Sequence, residues 1–375
     1  MAGIYIHIPF CKQACSYCDF HYSTTLNRKT DMVNALVREI EIRKNYLNNE
    51  HVSTIYFGGG TPSLLNQFET DKIMEAINVH FEIKNDAEIT MEVNPDDIKA
   101  TKLKELKSSN INRLSIGVQS FHNEDLEFMN RAHNSEEAIT SIKTAQDIGF
   151  NNITMDLIYG VQTLSDEAWQ DNLETFLSLN LPHLSAYCLT VEPLTALSIA
   201  IQKGKCNPVS EEKGKVHFEL LMNLMKEHGF IQYEISNFCK KDFESKHNSS
   251  YWNNEKYLGI GPSAHSYNKT SRQWNIANNI KYIIGIDNDD PDVKEETLSL
   301  NELFNEYVMT SLRTIWGVDL SYVKHKFGED HVLRLMESSR FRIKSNDIEQ
   351  HDDILKLTNQ GKMMADTISS EMFIL

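Results

Sequence analysis

The sequence predicts an α/β protein: a partial (β/α)6 barrel of parallel strands over residues 1–200, and a small, mostly helical, winged-helix-like domain over residues 300–375. Three observations predict it. Short runs rich in Ile, Val, Tyr and Leu alternate with longer stretches of helical periodicity, the pattern of parallel βα units. Glycines and charged residues gather at the carboxyl ends of those runs. After Leu300 the order becomes helix, helix, helix, ribbon.

The strands read as Gly3 to Ile8, Val52 to Phe57, Ala87 to Val93, Arg113 to Val118, Asn152 to Tyr159 and His183 to Leu189. Between them, apolar residues recur at three and four spacing, as in Met32, Leu36, Ile40 and Leu47, or Leu173, Phe176, Leu177 and Leu181, which marks covering helices. Six such units fit an incomplete barrel, although spacing alone also fits a flat doubly wound sheet. In both folds ligands sit at the carboxyl ends of the strands. Residues 201–286 read as an extension of the barrel, with a helix from Ser210 to His228 and an aromatic, Asn-rich stretch through Tyr267. Asp287 to Pro291 reads as a linker. Residues 300–375 carry nine Lys or Arg against twelve Asp or Glu, which favours a packing or partner role over DNA binding.

Composition bounds the function. The 375 residues are 41% hydrophobic and 24% charged, which excludes a disordered chain. A net charge of −16 argues against a broad nucleic-acid or anionic-lipid footprint. No apolar run reaches the roughly 18 residues of a membrane helix, and Met1 to Phe10 reads as a strand rather than a signal segment. A cytoplasmic protein without a membrane anchor is expected.

Of the six cysteines, Cys188, Cys206 and Cys239 are scattered and read as small apolar residues. Cys11, Cys15 and Cys18 fall within eight residues. In a reducing compartment such a cluster points to metal ligation rather than disulfides. Three thiolates on one loop hold three irons of a [4Fe-4S] cluster and leave the fourth open to a ligand. A zinc site completed by His21 fits the same residues equally well.

The CxxxCxxC loop directly after the first strand, with an aromatic before its last cysteine, resembles the radical S-adenosylmethionine (SAM) superfamily. The string IHIPFCKQACSYCDF, with GGGTPS, EVNP, GVQSF, RAH and MDLIYG on later strand ends, is similar to the branch containing anaerobic coproporphyrinogen III oxidase and the HemW heme chaperones. HNSSYW and GIGPSAHSY match as well, so the resemblance spans nearly the whole chain. It implies a [4Fe-4S] cluster at Cys11, Cys15 and Cys18, with SAM on its open iron. The cofactor carries the radical chemistry, while the protein supplies orientation and exclusion of water.

The resemblance also implies roles for single residues. Gly59 and Gly60, which let a backbone approach a ligand closely, meet the methionyl amino group, and Thr61 adds a hydroxyl. Glu92 and Asp156 face ribose hydroxyls or the amino group, with Gln119 beside them on the next strand end. Arg131 faces the carboxylate, which suits its planar fork. An internal ion pair of Arg131 with Glu92 or Asp156 is the alternative. Tyr5 and Tyr17 pack on the cofactor or belong to the core.

Within the branch, two features favour a heme carrier over an oxidase. The oxidases have a further cysteine where this chain has Phe20, and a long segment ahead of the first strand, where this chain has four residues before Tyr5. The string HNSSYW resembles one associated with the heme chaperones. It implies His247 as a heme ligand beside Tyr251 and Trp252, with His265 in reserve. Heme-acceptor proteins, including respiratory membrane proteins met transiently, are the implied partners.

Overall fold

A two-residue period organises the centre of the molecule. In the computed structural model, which describes residues 2–374, six strands lie side by side in chain order and all run parallel. They are β1 (Ala2–Ile8), β2 (Val52–Gly59), β3 (Ile83–Val93), β4 (Arg113–Gln119), β5 (Ile153–Tyr159) and β6 (His183–Cys188). One face of each strand is apolar: Ile4, Ile6 and Ile8, then Ile55 and Phe57, Met91 and Val93, Leu114, Ile116 and Val118. This face is buried in one core with Met32, Leu36, Ile40, Ile73 and Ile77 of the covering helices. The other face carries Tyr56, Glu92, Arg113, Ser115, Thr154, Asp156 and Ser185, which line a single cleft. Residues from β2 through β6 touch one cavity only because the parallel sheet curls around it. A one-residue slip of any strand would exchange the two faces, so burial pins the register.

All six expected strands form. β2 runs two residues further than expected, to Gly59, and β3 begins earlier, at Ile83. The helices start where their caps dictate. Asn66 with Glu69, and Asn134 with Glu137, build reciprocal capping boxes ahead of the helices Gln67–His80 and Ser135–Asp147.

The sheet extends on both sides. Beyond β6 lie β8 (Asn237–Cys239) and β7 (Ile231–Glu234), with β8 antiparallel to β6. Beyond β1 lies β9 (Lys256–Ile260), parallel to it, then the antiparallel β10 (His265–Tyr267), β11 (Ser271–Asn275) and β12 (Val293–Thr297). Asp287 to Pro291, read from sequence as a linker, thus connects the helix Asn279–Asp287 to the last strand of the sheet. β12 reads VKEET and is mostly exposed, so it gives no apolar signal of being a strand.

The C-terminal unit has the helices Leu300–Leu312, Leu320–Phe327 and Glu329–Lys344 and a small sheet of β13 (Val318–Asp319), β15 (Ile354–Leu357) and β14 (Ile348–His351), the expected winged-helix-like order. Its own core gathers Phe304, Val308, Leu312, Val323, Phe327 and Leu355. Arg313 joins it to the barrel. Its guanidinium donates through Nη2 and Nε to the buried Glu234 Oε1, at 3.0 and 3.2 Å, and lies 5.4 Å from the Trp252 ring centroid. Among the described residues no helix is long and apolar enough to cross a membrane.

Candidate functional site

The cleft opens at the carboxyl ends of the strands and has a volume of about 460 Å³. Its rim is the loop after β1 that carries Cys11, Cys15 and Cys18, all three half-buried and all lining the cleft. Several backbone and side-chain contacts that involve no sulfur shape this loop. The Cys11 amide donates to Ser23 O at 3.0 Å, Ser16 N to Met129 O at 3.0 Å, and Leu197 N to Ser16 O at 2.7 Å. Gln13 Nε2 donates to Asn130 O at 2.9 Å, Asn130 Nδ2 to Ala14 O at 2.7 Å, and Lys12 Nζ to Asp96 at 2.8 Å.

Opposite the loop, β2 ends in the glycine turn. Gly59 has φ +104°, and a Cβ there would lie 2.6 Å from the His7 ring, so only glycine fits. At Gly60 a Cβ would lie 2.6 Å from Phe10 O. The amides of Gly60 and Thr61 donate to Ile8 O at 2.9 Å and Phe10 O at 2.6 Å, clamping the turn against the start of the cysteine loop.

Arg131 links both walls. Its Nη2 donates to Asn94 Oδ1 at 2.7 Å and Gly117 O at 2.8 Å, and its Nη1 lies 3.2 Å from Cys15 Sγ. Its Nε is buried without a hydrogen-bond partner among the described residues. Neither Glu92 nor Asp156 pairs with Arg131, so the internal ion-pair alternative is not formed. Glu92 accepts from the Tyr56 hydroxyl at 2.8 Å, and Asp156 from Ser115 Oγ at 3.1 Å. Burial pushes the Glu92 carboxyl up to about 8 and the Asp156 carboxyl up to about 6, against the lowering effect of those hydroxyl donors. Gln119 lines the same cleft with φ +70°, at an irregularity in the pairing of β4 with β5. Such a backbone persists only where its surroundings hold it.

Most of the sequence-predicted residues therefore meet in one place: Cys11, Cys15, Cys18, Gly59, Gly60, Thr61, Glu92, Gln119, Arg131 and Asp156, together with Tyr17, all line the cleft. Tyr5 and His247 do not. Tyr5 lies behind the wall, its hydroxyl 3.1 Å from His7 Nδ1 and its ring stacked on Tyr56. His247 is 1% exposed, with Nδ1 2.8 Å from Thr54 Oγ1 and Nε2 2.9 Å from the Tyr251 hydroxyl. Both ring nitrogens are thus committed inside the protein, and neither is free to meet an iron. The heme-ligand expectation for His247 is at odds with this geometry; its neighbour Asn248 reaches the cleft instead. His265 is exposed on β10, stacked near Trp274 at 6.0 Å, beside a separate hollow.

The sequence reading missed Tyr56, Arg113, Ser115, Thr154 and Tyr187 as cleft residues. The signal was present in the alternation of each strand: in RLSIGVQ every second residue from Arg113 faces the cleft.

The donor set fits an iron–sulfur cluster better than zinc. The His21 imidazole that would complete a zinc site lies 2.7 Å from Asn279 Oδ1 through Nε2. Among the described residues no three His, Cys, Asp or Glu side chains converge tightly enough for one ion. The remaining walls offer a guanidinium with an unused donor, two carboxyls and a glycine turn, which suits a ligand bearing carboxylate, amino and hydroxyl groups.

A curled parallel sheet with three cysteines after its first strand and a glycine turn after its second defines a radical SAM protein, and residues 5–176 match the Radical SAM superfamily. The chain is 35% identical over 372 residues to the heme chaperone HemW of Bacillus subtilis (strain 168), covering 98% of each. It is 34% identical to HemW of Lactococcus lactis, covering 86% of this chain and 84% of that one, and 36% identical to HemW of Escherichia coli, covering 70% and 69%. The chain belongs to the HemW heme chaperone family. Its fold matches the Escherichia coli coproporphyrinogen III oxidase HemN with a TM-score of 0.86, over 99% of this chain and 90% of that one, at 23% identity.

Proposed function

We propose that this protein binds heme and delivers it to acceptor proteins, with a [4Fe-4S] cluster and SAM held in the cleft. The observation that carries this reading is kinship to a heme chaperone over 98% of both chains. Cys11, Cys15 and Cys18 hold three irons of the cluster and leave the fourth for the nucleotide. When bound, the cluster would supply one-electron reducing chemistry toward the sulfonium of SAM. The residues of the cleft bind and orient that ligand. Arg131 takes its carboxylate, the backbone at Gly59 and Gly60 its amino group, and Glu92, Asp156, Gln119 and Thr61 its remaining polar groups. Tyr5 acts from behind, supporting His7 beneath the glycine turn. Heme stays unassigned to His247, whose nitrogens are occupied.

A location in the cytoplasm and transient contact with heme acceptors, including respiratory membrane proteins, complete the proposal. The C-terminal unit is the contact we favour, since its excess of acidic residues does not suit nucleic acid. The test is a heme titration of reconstituted protein beside a turnover assay with SAM, reductant and coproporphyrinogen III. Saturable heme uptake without protoporphyrinogen, on a protein holding iron and sulfide in equal amounts, is expected. Protoporphyrinogen formation would make the protein an oxidase, and bound zinc in place of iron would end the radical SAM reading.

A further inference from the structure

The string HNSSYW forms the short helix Lys246–Trp252, and the packing of that helix points away from the role its histidine was expected to have. The helix docks by its amino end: Lys246 N and His247 N donate to the two oxygens of the buried Glu88, at 3.1 and 3.0 Å. A carboxylate there compensates both the free amides and the helix dipole. The His247 ring then enters between strands, over Gly3, where a Cβ would approach it to 3.4 Å. Its two nitrogens are held by Thr54 and Tyr251. Burial keeps the ring neutral, lowering its pKa to about 3. A flat ring fixed in this way presents a rigid surface. Tyr56 packs on it, with centroids 4.9 Å apart and planes 20° apart. The hydroxyl of that same Tyr56 is the donor to Glu92 in the cleft.

We propose that His247 is a positioning residue of the nucleotide site: stacked on Tyr56, it aims the phenol hydroxyl at Glu92 and so sets SAM affinity without touching SAM or heme. The inference rests on the assignment of SAM to the cleft. It gives HNSSYW a place in the fold that iron ligation does not supply. A phenol can swing about its Cβ bonds, and the Tyr56 ring is hemmed by Tyr5 and His247, whose centroids lie 6.1 and 4.9 Å from it and 6.4 Å from each other, so His247 is the nearer restraint. Removing the imidazole frees that swing.

The test is SAM affinity, measured by equilibrium dialysis on the reconstituted full chain, with the SAM-induced change in the electron paramagnetic resonance of the reduced cluster as a second readout. Heme uptake is titrated on the same samples. Tyr56→Phe, which removes one oxygen, should weaken SAM by about tenfold, the range for losing a hydrogen bond to a charged group. His247→Ala should weaken it by a similar or smaller factor, and the double variant no further than Tyr56→Phe alone, because both act on one hydroxyl. His247→Phe, which keeps a flat ring, should recover most of the affinity despite the lost hydrogen bonds. Heme uptake should be unchanged throughout. Additive losses, unaltered SAM affinity in His247→Ala, or a loss of heme uptake with SAM intact would overturn the inference. Should the native protein itself bind no SAM, the assignment of the cleft fails instead. Tyr56→Phe keeps the question answerable if His247→Ala does not fold, since a wild-type affinity there removes the hydroxyl from the argument.

Discussion

Glu92 shows what a single residue costs and supplies. Its carboxyl titrates at about 8 in the folded chain against an ordinary 4.5, chiefly because burial disfavours the charge. The folded protein therefore holds a proton that the unfolded chain releases. Stability from this group is full below 4.5 and falls as pH rises through 8. Glu92→Gln, always neutral, should remove that slope. Urea midpoints of the ligand-free protein between pH 5.5 and 8.5 should show the variant gaining on the native chain as pH rises; parallel curves would mean that Glu92 is ionised throughout. The same carboxyl becomes useful when a cationic ligand enters, because the ionised form is then the one with a partner.

Among the elements, the glycine turn after β2 carries the sharpest constraint. Gly60→Ala would place a Cβ 2.6 Å from Phe10 O and push the turn away from the cysteine loop. We expect a loss of roughly 1 to 3 kcal/mol of stability, the usual cost of overpacking, together with a lower iron content after reconstitution; native-like iron loading would show that the turn and the loop are not coupled. The strand positions were legible in the sequence because each strand has an apolar face, and the site's anchors were legible because Cys11 and the glycines stand at or just after strand ends and Arg131 on the connection after β4. Tyr56 and Ser115 were not. A tyrosine or serine within an apolar run looks like ordinary core until the curl of the sheet decides which face encloses the cleft. His247 misled for a related reason: its motif marks it as special, but only tertiary packing shows that both its nitrogens are already used. β12 escaped because a charged edge strand has no apolar pattern to betray it.

At the scale of the whole molecule, the pair of Glu234 with Arg313 lies where the two cores meet, and Arg272 with Glu306, at 3.0 Å, adds a second ion pair between the sheet and the C-terminal unit. Glu234 is buried and keeps donors from Ser236 N at 2.9 Å and Asn237 Nδ2 at 2.8 Å, but its only cation is Arg313 among the described residues. Arg313→Ala should therefore cost about 2 to 4 kcal/mol, since it strands a buried charge, and should expose the connection near Leu300 to limited proteolysis. Cleavage no faster than in the native chain would locate the docking energy elsewhere.

The anchoring of the cysteine loop bears on how the protein survives oxygen. Gln13, Ala14 and Ser16 of that segment are tied to Met129, Asn130 and Leu197 by bonds that involve no sulfur. Damage that strips away the inorganic core would thus leave the vessel standing, ready to be refilled in place, and repair would demand fresh iron and sulfide but no new folding.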